Sequence, residues 1–142
     1  MTSCVFCKII EGNAPSSKVY QDDICLAFMD IRPINPGHVL VVPKSHSTDL
    51  SDLPANIGAH LFQVAQQISL GLPKTDIKNE GVDLFLAHGE AAGQDVFHVH
   101  FHVIPRYKGD GFGFKYGPDY RNLPQRSELD AIATQIKQQL DK

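Results

Sequence analysis

The chain has 142 residues, 42% of them hydrophobic, and a formal net charge of −3. That length predicts one domain, residues 1–142, with a core large enough to need no disulfides, and the acidic balance, with a pI near 6.1, argues against a general basic surface for nucleic-acid polymers. No stretch approaches the about 20 apolar residues of a membrane span, and the first residues have neither the basic nor the apolar region of a secretory signal, so a cytoplasmic protein without a membrane partner is expected.

Two of the three cysteines stand in Cys4-Val5-Phe6-Cys7. In a reducing compartment such a pair holds metal or does redox work more often than it forms a structural disulfide. Cys25 lies inside an apolar run and reads as buried. From Ile24 to Asp30 large residues alternate with small ones, so Ile24, Leu26, Phe28 and Asp30 share one strand face and a carboxylate closes an apolar row. Pro33 and Pro36-Gly37 mark a turn, and His38 to Pro43 reads as a second strand. This predicts a hairpin with Asp30 and His38 at one end. Residues 54–70 place Ile57, Leu61, Val64, Ala65 and Ile68 at helical spacing, with Ser51 or Asp52 as cap and Pro54 in the first turn. That helix should cover one sheet face.

Val82, Leu84 and Leu86 alternate in a third strand, and Gly89 to Gly93 loops into a fourth. The sheet is therefore expected to be mainly antiparallel and built from successive hairpins. Residues 109–118 mix glycine with aromatics and read as a mobile lip or a plain surface loop. The chain closes with a helix over 127–140, capped by Ser127, with Leu129, Ile132, Ile136 and Leu140 on one face.

The fourth strand carries His98, His100 and His102, alternating with Val99 and Phe101. A period of two puts the three imidazoles on one face, neighbours roughly 6.6 Å apart. Burying imidazoles side by side costs desolvation without apolar gain, so the row points to function. His100, at its centre, is the natural nucleophile, because an imidazole with a pKa of ~6.5 is largely neutral at pH 7. Attack by its nitrogen on phosphorus gives a labile phosphoramidate, which suits two-step phosphoryl or nucleotidyl transfer. The rival chemistry is a metal bound by histidines at i and i+2. It usually needs a third ligand, and Ile104-Pro105-Arg106 supplies no acidic one.

The run Gly93 to Arg106, together with Phe28 to Pro33, Pro36 to His46 and Cys4 to Ile10, resembles the signature of the histidine triad family of nucleotide hydrolases and transferases, over residues 4 to about 106. The resemblance implies an α+β fold with a five-stranded antiparallel sheet and helices, paired in a homodimer. It implies that His100 attacks the α-phosphate of a purine nucleoside phosphoramidate or a dinucleoside polyphosphate, giving a nucleotidyl-histidine that water hydrolyses. His38 and His102 would line the phosphate, Gln94 and Asp95 would stand beside the substrate, and the acceptor-only Asp30 carboxylate would take both ribose hydroxyls. Phe6, Phe28, Ile31 and Leu40 would form the base slot, where stacking discriminates little between purines. Cys4, Cys7, His46 and His98 would hold a structural zinc, two sulfurs and two nitrogens being what a closed tetrahedral site asks for.

Two positions depart from the pattern. Many relatives carry Asn or Gln where this chain has Ala87, and loss of one positioned donor costs on the order of 10²-fold in rate unless the adjacent His88 substitutes. A nucleotide-binding or partner-binding protein with weak or no turnover is thus the alternative to an enzyme. Asp95 stands where one branch has Ser or Thr; there it would donate a proton, repel phosphate, or simply cap the turn.

Overall fold

The computed structural model describes residues 3–140. These fall into two compact units divided between Gly111 and Phe112.

The first unit is built on a five-stranded sheet of order β1-β2-β3-β5-β4, comprising β1 (Lys18–Gln21), β2 (Cys25–Met29), β3 (Val39–Pro43), β4 (Gly81–Phe85) and β5 (Phe101–Arg106). Every pairing is antiparallel. The apolar run Val39-Leu40-Val41-Val42-Pro43 is buried on both faces, as a central strand requires. One expectation is corrected by the topology: the sheet is not a series of successive hairpins. Helix α2 (Ala55–Gly71) leads away from β3, and β5 then inserts between β3 and β4, with Leu40 opposite His102 and Phe85 opposite the same histidine.

The two sheet faces bury different residues. Leu61, Val64 and Ala65 of α2 pack on Cys25, Ala27, Val39, Val41, Val99 and Val103. On the opposite face Leu26, Phe28, Leu40 and Val42 pack against Phe6 and Ile9, which belong to a short helix, α1 (Val5–Ile10), capped by Cys4. Ile24 falls outside β2 and is exposed, unlike Leu26 and Phe28. The cap of α2 also differs from expectation: Pro54 occupies the cap position without a side-chain hydrogen bond, while Asp52 accepts from the backbone N–H groups of Thr48 and Asp49.

The histidine row is only partly in a strand, because β5 starts at Phe101, the last residue paired with β3, opposite Val41. Residues 98–100 nevertheless keep the alternation of faces. Val99 N–H donates to the Ser47 carbonyl at 2.8 Å, Val99 and Val103 face α2, and the three imidazoles face the other way. Residues 109–111 are held at the start of their loop: Asp110 accepts two bonds from the Arg106 guanidinium, at 2.6 and 3.0 Å.

In the second unit, α3 (Arg126–Leu140) begins before Ser127, so Ser127 lies within the first turn and is not the cap. Glu128 instead accepts the Gln125 N–H at 3.1 Å. Leu129, Ile132, Ile136 and Leu140 lie at helical spacing and are exposed.

The β2–β3 turn is closed by His38 N–H donating to the Asn35 carbonyl at 3.1 Å and by Asp30 N–H donating to the His38 carbonyl at 3.0 Å. Gly37 has φ +97°, and a Cβ there would stand 3.0 Å from both Ile77 Cγ2 and Pro105 Cγ. Both strain and crowding therefore oppose a side chain. Replacing Gly37→Ala is expected to lower unfolding free energy by about 1–3 kcal/mol, read from urea denaturation midpoints; an unchanged midpoint would mean that the turn relaxes freely.

Candidate active site and metal centre

Each imidazole of the row has a distinct hydrogen-bond partner, and the partners assign the protons. His100 Nδ1 lies 2.8 Å from the His98 carbonyl; a carbonyl only accepts, so Nδ1 carries a proton, and in the neutral ring the lone pair is on Nε2. His38 Nδ1 accepts the Ile34 N–H at 3.1 Å, so its proton sits on Nε2 and is donated to His102 Nδ1 at 2.9 Å. His102 is left with an Nε2–H donor. Burial and the neighbouring rings of His100 and His38 push the His102 pKa down to about 3, and burial lowers His38 as well. Both are neutral donors at pH 7. The Asp30 carboxylate lies 3.6 Å from His38 Nε2 and also accepts the Arg32 N–H at 2.8 Å.

A cleft of ≈ 360 Å³ opens over this row, with Phe6, Phe28, Asp30, Ile31, Leu40, Asp95, His100 and His102 among its lining residues. Its volume falls in the range of small-ligand sites. Phe6, Phe28 and Leu40 form a buried wall, whereas Ile31 is 92% exposed and stands at the rim. The Phe6 ring packs edge-on against Phe28 and His100, with centroids 5.4 and 5.2 Å apart. Asp95 Oδ1 lies 3.5 Å from His100 Nε2, and its side chain is 71% exposed, which places its carboxylate beside the His100 ring and not in a turn cap.

Two residues expected beside the substrate are buried behind the cleft surface. His38 is buried and is not among the lining residues of the cleft; its Nε2 touches His102, 2.9 Å away. Gln94 is buried too. Its amide donates to the Thr48 and Val96 carbonyls at 2.7 and 3.1 Å, and its oxygen accepts the Gly89 N–H at 2.9 Å. Both its N–H donors and its oxygen are engaged in holding the loop before His98. His88 does not stand in for the missing amide at Ala87, because its ring is turned to Asp49, 3.5 Å away.

The structure adds residues that sequence reasoning missed. Phe85 stacks flat on His102, centroids 4.2 Å apart at 14°, covering one face of that ring. Its place on the face opposite Leu84 follows from strand alternation, but which ring it meets depends on the β4–β5 register. Val5 and Ile9 line the cleft with Phe6. Their i, i+4 spacing was the available signal, hidden within a helix of only six residues.

Beside the row, Cys4, Cys7, His46 and His98 bring their ligand atoms within 4.8 Å of one another. The S···N separations are 3.4 Å for Cys4–His98, 3.3 Å for Cys7–His46 and 3.6 Å for Cys7–His98, and the two Nδ1 atoms are 3.1 Å apart. Tetrahedral zinc, with bonds of about 2.3 Å to sulfur and about 2.0–2.1 Å to nitrogen, sets such separations near ~3.5 and ~3.3 Å. His98 Nε2 donates to the Pro43 carbonyl at 2.8 Å, which leaves Nδ1 deprotonated and oriented as a ligand. The donor set therefore fits zinc. Asp30, His38 and His102 also cluster, but there the His38–His102 hydrogen bond already joins the facing nitrogens.

The HIT domain family model matches residues 11–109. A HIT family protein of Bacillus anthracis is 40% identical, with a TM-score of 0.87 over 96% of both chains. A Zn-bound histidine triad family protein of Mycobacterium smegmatis is 38% identical, with a TM-score of 0.75 over 98% of this chain and 96% of that one. An adenylylsulfatase of Arabidopsis thaliana is 40% identical over 107 residues, 75% of this chain and 54% of the relative. With the sheet, the three imidazoles and the cleft in place, these likenesses show that the chain belongs to the histidine triad family.

Proposed function

We propose that this protein hydrolyses or transfers nucleoside monophosphate groups, acting at the α-phosphate of purine nucleoside phosphoramidates or dinucleoside polyphosphates through a covalent nucleotidyl-His100 intermediate. The observation that carries this reading is the orientation of His100: Nδ1–H is tied to the His98 carbonyl, so in the neutral ring of this cleft-lining residue the lone pair is on Nε2. The related adenylylsulfatase supports chemistry on a phosphate attached to a nucleoside. The base lies against Phe6, Phe28, Leu40 and Ile31, and Asp30 accepts the ribose hydroxyls. His100 Nε2 forms a bond to phosphorus as the bond to the leaving group breaks. That group departs with the electron pair and takes up a proton. Water then attacks phosphorus, loses a proton, and returns the pair to Nε2. Throughout, His102 Nε2–H donates to a phosphate oxygen, with its tautomer set by His38 and its plane by Phe85. A donor that is neutral in both steps stabilises the phosphate without a proton to gain or lose.

Zinc at Cys4, Cys7, His46 and His98 would act as a closed structural ion that pins the N-terminal segment to the residue before the nucleophile's neighbour, Val99. The active species is read as a cytoplasmic homodimer. The second reading, a nucleotide-binding protein with little turnover, is favoured by one feature, Ala87 with His88 turned away to Asp49.

Incubation with adenosine 5′-phosphoramidate should release the monophosphate, and His100→Ala should lose at least about 10³-fold in kcat while still binding adenosine monophosphate. Binding without release by the parent protein would establish the second reading. Metal analysis should find one zinc per chain, and Cys7→Ser should lose it, since a thiolate ligand is removed from a four-ligand set. Retention of stoichiometric zinc by that variant would refute the site. The buried neutral imidazoles also set an acid limit. His102 has a folded pKa of about 3, below the ~6.5 of an unfolded histidine, so the unfolded chain binds the extra proton between these values. Its contribution to stability is present above pH ~6.5 and declines as pH falls towards 3. Melting temperatures of His102→Asn, whose amide oxygen still accepts from His38, should therefore fall less steeply with acidification than those of the parent.

A further inference from the structure

Helix α1 serves both sites at once. Cys4 caps it and Cys7 lies within it, and both sulfurs belong to the zinc-type cluster. From the same six-residue helix Val5, Phe6 and Ile9 form part of the cleft wall. A helix of this length has no stability of its own. Two things hold it in place: burial of Phe6 and Ile9 against Leu26, Phe28, Leu40 and Val42, and the approach of its two sulfurs to His46 and His98. The Phe6 ring joins the sites directly, because it packs edge-on against a metal-cluster residue, His98, at 5.8 Å, and against the nucleophile, His100, at 5.2 Å.

We propose that zinc and the nucleoside bind cooperatively through α1, so that occupancy of the metal centre sets the affinity of the nucleotide cleft. This rests on the zinc and nucleotide readings above and concerns the regulation of that same site. A ligand that needs α1 in place bears the entropy of ordering it, and a second ligand that needs the same segment then binds without that cost. Linkage requires the factor to be equal in both directions. An effect of about tenfold is expected, within the span usual for two coupled sites. The route also selects the ligand: the nucleoside touches the wall, whereas the phosphate meets His100 and His102. Adenosine should therefore carry the coupling and inorganic phosphate should not.

The test uses the full chain. Zinc affinity is measured by competition with a chromogenic chelator, alone and with saturating adenosine monophosphate, adenosine or inorganic phosphate. Calorimetry gives the affinity for adenosine monophosphate with zinc loaded and stripped. The proposal expects adenosine and its monophosphate each to tighten zinc about tenfold, phosphate to leave it unchanged, and zinc to tighten the monophosphate by the same factor. In Phe6→Ala, which keeps all four metal ligands, the response of zinc affinity to adenosine should shrink or vanish. Binding of both ligands with no mutual effect would overturn the coupling while leaving the zinc and nucleotide readings intact. Coupling by phosphate alone would overturn the α1 route. Global unfolding of the stripped protein, seen by circular dichroism, would overturn it too, since the metal would then support the whole fold and not this helix. Failure to bind zinc or adenosine monophosphate at all would sink the earlier readings and this proposal with them.

Discussion

The pairing of β5 with β3, with Leu40 opposite His102, is the constraint from which the site follows. His38 precedes β3 by one residue, so this register brings its Nε2 within 2.9 Å of His102 Nδ1. A shift by one residue would turn His102 towards α2 and Val103 towards the cleft, because strand side chains alternate. The same pairing ends at Val41 with Phe101, and beyond it the Pro43 carbonyl takes up the His98 ring at 2.8 Å. One strand interface thus orients two of the three imidazoles, and the third, His100, is oriented by the His98 backbone between them.

Hydrogen bonds to backbone groups then separate the roles of chemically identical side chains. His98 gives its Nε2–H to a carbonyl and presents Nδ1 to the cysteines; His100 gives its Nδ1–H to a carbonyl and presents Nε2 to the cleft. The tautomers are opposite because the acceptors lie on opposite sides of the two rings. Burial reinforces the division by holding His102 and His38 neutral. At this end of the cleft these imidazoles are therefore directed neutral donors and not accumulated positive charge. Desolvation strengthens such donors, since the low local dielectric that disfavours imidazolium also favours a well-placed N–H.

Helix α1 completes the face of the sheet that α2 leaves uncovered. Its apolar side fills the second core with Phe6 and Ile9, and its cysteines meet His46 and His98. Core, cleft wall and the Cys4–Cys7–His46–His98 cluster share one short segment.

Much of this was legible in the sequence, for a physical reason. Alternation and helical spacing are local, so the faces of β2 and β5, the span of α2 and the one-sided row of histidines could be read from residue order. The motif resemblance added the zinc-type ligands and the wall residues Phe6, Phe28 and Leu40. Residue order did not carry the insertion of β5 between β3 and β4, since strand neighbours in space need not be neighbours in chain. It therefore did not carry the retreat of His38 behind His102, the stack of Phe85, or the engagement of Gln94 with Thr48. Those depend on which groups long-range packing brings within about 3 Å. Composition and periodicity decided which chemistry this protein has at hand; only the tertiary structure decided which imidazole nitrogen faces the cleft, which faces the cysteines, and which stays hidden.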